Sequence, residues 1–297
     1  MTSSNHRCAT EPMARKTSVK DCSRLGGKLL LRFLLLAVIV LNLLPFVYMI
    51  GISFKPVYAI FDNPVNPFHI PMTAINYLQV WRVLPILRMT LNSVVVAAGV
   101  TIGQILLSSM AAFGFSYYRR FYLRDFLFSL VLLSMMVPFV VTYLPNYLLM
   151  ADLRLLNTLP GIILPMLGLG LGLPLFLIRQ HFLGYPREIL QAAKIDGAND
   201  WQLLWRVVLP GCMASVAAVT VYVFVIFWNQ YIWPMLVAET QDVYTLMVGV
   251  VEFTSGEGGA MWGSVMAIAT FATLPTAAMF LMLRRAVLES LSEGALK

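Results

Sequence analysis

The side chains able to do chemistry are few and widely separated. The three histidines, His6, His69 and His181, have no nucleophile or carboxylate at a spacing that would make a catalytic pair, and a lone histidine is a weak signal. His181 follows an apolar run beside Arg179, which reads as a solvated residue at the end of a span. Cys8, Cys22 and Cys212 show no metal-type CxxC spacing and suggest three free thiols. The nearest approach to a phosphate-binding loop is CSRLGGKL, residues 22–29, with Cys22 where the first glycine of GxxxxGK[ST] belongs and Leu29 where the hydroxyl residue belongs. These residues point to no catalytic residues, no metal and no cofactor, and so to a protein that is not an enzyme. If the chain does work, the energy must come from another subunit.

One polar stretch stands apart: YPREILQAAKIDGANDWQLLWRVVLP, residues 185–210. Pro186 suits the first turn of a helix, where its missing N–H costs nothing. That helix can run through Glu188, Ile189, Ala192 and Ala193 until Asp196–Gly197, with Gly197 able to take the left-handed conformation of a C-terminal cap. Asn199 can cap a second helix, with Gln202 as reciprocal partner in a capping box. The second helix carries Trp201, Leu203, Leu204, Val207 and Val208 to Pro210, where a bend is expected. By shape alone, a surface for a partner and an amphipathic hairpin lying on lipid headgroups are equally good readings.

The elements around that stretch are apolar. Of 297 residues 59% are hydrophobic and 12% charged, with a mean hydropathy of +0.79; a soluble domain carries about 25% charged residues. Six segments, 29–50, 91–117, 126–149, 159–180, 207–236 and 262–283, are each near the ~20 residues needed to cross a bilayer core. The first is too long for a cleaved signal core and is expected to stay as a helix. The fold expected is therefore an all-α integral membrane protein of six transmembrane helices. A polar tail, 1–28, precedes one membrane domain, 29–297, whose polar loop spans about 184–208.

The net charge of +7 comes from bases scattered in tails and short loops, which excludes a nucleic-acid site and reports topology instead. With the N-terminus inside, 17 of the 21 Lys and Arg residues fall on the inner side; only Lys55, Arg82, Arg88 and Arg154 fall outside. That bias predicts both termini, and residues 185–210, in the cytoplasm. The apolar cores of spans two to six hold no Asp, Glu, Lys, Arg or His, which argues against a proton-coupled carrier. A sodium-driven carrier or a channel stays open, because carbonyls alone can hold sodium. An intramembrane enzyme lacks any catalytic constellation.

The order of residues narrows this. QAAKIDGANDWQLLWRVVLP resembles the EAA signature of permease subunits in binding-protein-dependent ABC importers, matched at Ala192, Ala193, Asp196, Gly197, Ala198, Leu209 and Pro210. FWNQYIWPMLV, LNSVVVA, MMVPFVVTYLPNYLLMADLRLLNTLPGIILP and the tail SEGALK resemble the carbohydrate class, in particular the smaller maltose-type permease. Gln191 stands where the signature has glutamate, so only a neutral hydrogen bond is available there unless Glu188 supplies the acid. The resemblance implies a type I importer permease fold in the bacterial or archaeal plasma membrane. Residues Glu188 to Asn199, with Gln191 and Gly197 among them, would form a coupling helix seated in a cytosolic ATPase. The implied partners are a second permease, two ATPase subunits that bind the ATP, an extracytoplasmic solute-binding protein and membrane lipid. The implied cargo is a sugar or polyol, with glycerol phosphate or another small solute as the alternative.

Other features carry weaker expectations. Trp228, Asn229, Tyr231 and Trp233 suit either an aromatic interface belt or the wall of a sugar path. The glycine-rich segment 250–263, with Glu252, Gly256, Glu257 and Gly258, suits a connector, or, by the resemblance, a contact with the binding protein. Gly168 and Gly172 in GLGLG predict a small-residue packing face.

Overall fold

Among the described residues the apolar stretches become helical, and three of the helices are long and apolar enough to cross a membrane without a break. The computed structural model describes residues 17–68, 70, 72–118, 122–254 and 261–295, the side chains of 17–27, 29 and 286–295 excepted. Among the described residues every regular element is a helix: α1 (Thr17–Ser53), α2 (Val57–Asp62), α3 (Ile75–Val83), α4 (Ile86–Tyr117), α5 (Arg124–Ser134), α6 (Phe139–Asp152), α7 (Leu159–Gly168), α8 (Gly172–Leu183), α9 (Arg187–Ile195), α10 (Asp200–Gln202), a π-helical segment (Leu203–Val208), α11 (Leu209–Gly211), α12 (Met213–Trp228), α13 (Ile232–Val237), α14 (Leu246–Glu252) and α15 (Trp262–Ala295).

Leu30–Ser53, α4 and Trp262–Arg285 are each long and apolar enough to cross a membrane. Three bent pairs raise the number of spans to as many as six: α5 with α6 at 96°, α7 with α8 at 52°, and Asp200–Gly211 with α12 at 84°. Pro138 explains the sharpest bend. It sits at the N-cap of α6 in an extended conformation, where a missing N–H and a clash with the preceding turn end one helix and start another. Gly170, at φ +81°, lets the chain leave α7 and re-enter as α8. By contrast Pro45, Pro145, Pro165 and Pro275 lie inside helices, where the freed carbonyl groups find other donors or neighbouring helices cover the defect.

The small-residue face expected at Gly168 and Gly172 is not a packing face, because the helix breaks between them. A Cβ on Gly168 would meet nothing within 4 Å, whereas one on Gly172 would strike Met135 of the α5–α6 break. Of the two, Gly172 alone makes a close approach, and a glycine pair that packs together lies elsewhere. Gly99 and Gly103 on α4 face Ile163 and Leu167 on α7, with a Cβ at Gly99 only 3.3 Å from Ile163 Cδ1.

Helix α4 is the central post, packed against α7, α8, α12 and α14, while α1 lies along α15. Its buried face mixes apolar residues with polar ones. Asn92 Nδ2 donates to the carbonyls of Asp242 (2.8 Å) and Tyr244 (3.0 Å), and Ser93 Oγ accepts from the Leu246 N–H at 2.7 Å. Amides that point inward in this way fix one helix against loops whose carbonyls have no helical partner. The segment between α1 and α4 closes the same end: Asn76 Nδ2 donates to the carbonyls of Ser53 and Lys55, and the buried Lys55 ammonium donates to the Asn63 carbonyl at 2.6 Å.

Candidate docking site on the surface hairpin

The polar stretch folds as a hairpin locked by its own backbone. Pro186 takes the N-cap, one position earlier than expected, and α9 begins at Arg187 with Glu188 in its first turn and Lys194 in its last. Both charges suit the helix dipole. The turn is a Schellman closure: the Ala198 N–H bonds to the Ala193 carbonyl and the Gly197 N–H to the Lys194 carbonyl, both at 3.0 Å. Gly197 sits at φ +86°, a conformation that an L side chain adopts only at a cost. The capping box is present: Asn199 Oδ1 accepts from the Gln202 N–H (2.9 Å), and Gln202 Oε1 from the Asn199 N–H (3.0 Å).

One further tie spans the hairpin and another joins it to the bundle. Lys194 Nζ lies 2.7 Å from Asp200 Oδ1, an ion pair half-open to solvent that is worth about 0–1 kcal/mol. The Tyr118 hydroxyl, just past α4, donates to Asp200 Oδ2. Behind them Leu203, Leu204 and Val208 of the π-helical segment are buried in the core, whereas the first arm meets it only through half-buried residues such as Leu190 and Ala193. The π segment and the bend at Cys212 hold the second arm at a steep angle to α12. Neither the π turn nor the Tyr118–Asp200 tie is foreshadowed by any local pattern in the sequence.

Helix α9 has no buried residue. Glu188, Gln191, Ala192, Asp196, Gly197 and Asn199 are exposed, whereas Ala193 and Ala198 are half-buried and pack against the core. Three apolar side chains face outward beside them: Ile189, Ile195 (86% exposed) and Trp201 (60%). Gln191 also lines a cavity of about 800 Å³ between α9 and the ends of α4 and α8, with Tyr117, Tyr118, Tyr185 and Arg187. Chemically the hairpin is a rigid, mostly polar surface with an apolar crest. Such a surface can seat in a groove.

The aromatic cluster lies elsewhere and is placed differently from expectation. Trp228 (2% exposed) donates its indole N–H to the Ala272 carbonyl at 3.0 Å, and Trp233 (0%) to the Ile162 carbonyl at 3.1 Å. Both rings are sealed between helices with their polar atoms satisfied, so neither faces a path or a membrane interface in this structure. Asn229 and Tyr231, the polar members of the cluster, are exposed. Of the segment 250–263, Glu252 ends α14 and is exposed, while Gly256, Glu257 and Gly258 lie outside the described residues. His6, His69, Cys8 and the side chain of Cys22 lie outside them too. His181 is exposed, and its Nδ1 is 2.9 Å from Ser215 Oγ. Among the described residues no group of His, Cys, Asp and Glu is placed to hold a metal.

An all-helical bundle of up to six spans, bearing a locked two-helix hairpin at one end, is the architecture of a multi-span membrane permease. Residues 104–288 match the family described as "Binding-protein-dependent transport system inner membrane component". The chain belongs to that family and is a permease subunit of an ABC importer. It is 33% identical to the sn-glycerol-3-phosphate transport system permease protein UgpE of Yersinia enterocolitica, over 73% of this chain and 82% of that one. It is 34% identical to UgpE of Shigella flexneri, over 71% and 74%. A chain from the crystal structure of a bacterial ABC transporter involved in the import of the acidic polysaccharide alginate superposes with a TM-score of 0.73, over 93% of this chain and 99% of that one. At 20% identity that likeness speaks for the fold. As a permease of this kind, the protein is a multi-pass membrane component that works with a partner permease, an ATPase and a binding protein.

Proposed function

We propose that residues 188–199 are the docking element for a separate ATPase, and that movement of that ATPase drives alternating access through the π segment into α12. The observation that carries this reading is the pairing of rigidity with exposure. The hairpin is closed by a Schellman turn and a capping box, yet Ile195 and Trp201 face outward uncovered. A lever must be stiff to transmit a push, and an apolar crest beside polar residues favours a groove over water.

In this reading the hairpin and both termini face the cytoplasm, in keeping with the distribution of basic residues. The assembly comprises this chain, a second, different permease, two ATPase subunits and an external binding protein that meets the segment around Glu252. ATP is held by the ATPases alone. The cargo is a sugar or polyol, in keeping with the carbohydrate-class sequence signature. Glycerol phosphate is the second reading, favoured by the relatives from Yersinia enterocolitica and Shigella flexneri.

The experiment is a mild-detergent pull-down from native membranes of the wild-type chain and an Ile195→Asp variant, with co-purifying proteins identified by mass. Recovery of an ATPase and a second multi-span protein with wild type, and loss of the ATPase alone with Ile195→Asp, is the expected result. A wild-type chain that purifies alone, under conditions that preserve other complexes, would favour a self-sufficient carrier or channel.

A further inference from the structure

The end of the bundle remote from the hairpin carries a loop that is inside out for water. Residues Phe54 to Ala74 join α1 to α3, and only Lys55 and Asp62 among them are formally charged. Lys55 is buried, and its ammonium donates inward to the Asn63 carbonyl. Large apolar side chains take the outward positions: Val57, Tyr58, Phe61, Val65 (86% exposed) and Phe68. So many within one short loop mark a surface that meets something other than water.

The loop is folded back along α1. The Thr73 N–H closes it onto the Phe54 carbonyl at 2.9 Å. The Tyr48 hydroxyl donates to the Pro64 carbonyl at 2.6 Å. Pro67 lies so close to α1 that a Cβ on Gly51 would fall 2.7 Å from the proline Cβ. Pro64 and Pro67 therefore sit beside residues 48–51 and not beyond the end of the helix. That sets their depth. A helix crosses a hydrocarbon core of about 30 Å in about 20 residues. Counted from Leu30, where the apolar span begins, or from Phe33, just past Arg32, the far edge of the core falls between Ile50 and Ser53. Val65, between the two tethered prolines, is thereby held near the boundary of acyl chains and headgroups.

The backbone of the loop suits that place. Main-chain polar groups at a lipid boundary need partners within the chain. Pro56, Pro64, Pro67 and Pro71 bring no N–H to satisfy. Asn63 Oδ1 accepts from the Asn66 N–H (3.3 Å) and Asn66 Oδ1 from the Phe68 N–H (3.0 Å). The Asn63 and Pro64 carbonyls are taken by Lys55 and Tyr48. Tyr58 adds an aromatic ring with a polar tip, the side-chain type that collects at membrane interfaces. The patch also continues the wall of α1, whose residues 30–47 are exposed along their whole length.

We infer that residues 57–68 are a membrane-surface anchor, seated in the interface of the leaflet away from the hairpin with Phe61 and Val65 among the outermost acyl carbons. The occupant of this surface is lipid. A soluble protein docks on what projects beyond a membrane, whereas this loop lies alongside the span itself. Apolar burial in the interface holds the loop, and the loop in turn holds the end of α1 at one depth. That position is passed to α3 by Asn76, which donates to the Ser53 and Lys55 carbonyls, and by the Ser53–Tyr77 hydroxyl pair at 2.8 Å. The inference is independent of the cargo and of the docking role given to the hairpin.

The test uses the assembled transporter in liposomes of phosphatidylethanolamine and phosphatidylglycerol, with Cys8, Cys22 and Cys212 replaced by serine. A nitroxide is attached at Phe61→Cys or Val65→Cys. Its collisions with oxygen, which concentrates in lipid, are compared with its collisions with a water-soluble nickel chelate. Leu41→Cys, within the exposed part of α1, is the lipid reference, and Glu239→Cys, exposed between α13 and α14, is the aqueous one. The oxygen-to-nickel ratio at Phe61 and Val65 is expected to lie several-fold above that at Glu239 and to stay there when the binding protein is added. A ratio as low as that at Glu239 would put the loop in water and overturn the inference. Low collision rates with both reagents would overturn it too, because the partner permease would then cover the patch. So would a ratio that changes on adding the binding protein, the mark of a protein-docking surface. All four labelled positions are exposed, so the substitutions leave the packed core untouched. The readout needs no transport, so failure of the importer reading would leave it intact.

Discussion

Two regions of this chain look equally functional as strings of residues, and the fold treats them in opposite ways. The hairpin around Gly197 stays on the surface, with α9 burying none of its residues. The aromatic cluster from Trp228 to Trp233 sinks both indoles into the bundle, where each N–H is taken by a backbone carbonyl of another helix. The turn and cap of the hairpin are closed by bonds between residues at most five apart, so their form is set locally. The cluster is built from contacts 44 and 71 residues apart, so its role depends wholly on which helices pack beside it. A motif closed by local bonds can be read as a site. An aromatic cluster in a membrane helix cannot be told from core until its neighbours are known.

The largest test of that contrast is Gly197→Pro. Proline cannot reach φ +86° and cannot donate the bond to Lys194, so the Schellman turn is lost while every span keeps its sequence. ATP-driven uptake should be abolished with membrane insertion unchanged; normal uptake would remove the hairpin from the mechanism. Trp233→Ala should do the reverse. Emptying a fully buried indole site costs about 3–5 kcal/mol, read as a lowered melting temperature of the purified complex. If melting is unchanged while uptake specificity shifts, Trp233 belongs to the path and the contrast fails. The smallest effect is expected from Asn199→Ala, which removes the capping box at about 1 kcal/mol. Its mark should be faster hydrogen exchange confined to the start of α10, and exchange that spreads into α12 would mean the hairpin is less self-contained than its bonds suggest.

Charges within spans are legible in a sequence, and amides are less so. Gln104, whose Nε2 donates to the Met166 and Leu169 carbonyls, does not stand out, because an amide within VTIGQILL changes hydropathy little. The available signal was one long amide amid apolar residues in a helix centre. The glycine pair was misassigned for a related reason. GLGLG fits the spacing of a packing face, but Gly170 adopts a positive φ and ends the helix, so the face that packs closely is Gly99 with Gly103 on α4. Likewise the proline positions were legible, but not which of them would break a helix.

What the sequence determined by itself is what local physics enforces. Apolar runs of span length must be helical in lipid, because every backbone polar group has to be satisfied within the segment. The hairpin follows from Pro186, Gly197, Asn199 and Gln202 because caps and turns act over a few residues. Only the tertiary structure decided where spans bend, that the two indoles are core, and that two helix breaks and Gln104 border one groove. Those depend on contacts between residues dozens of positions apart, and hydropathy, which records only how each residue partitions, carries no information about which residues meet.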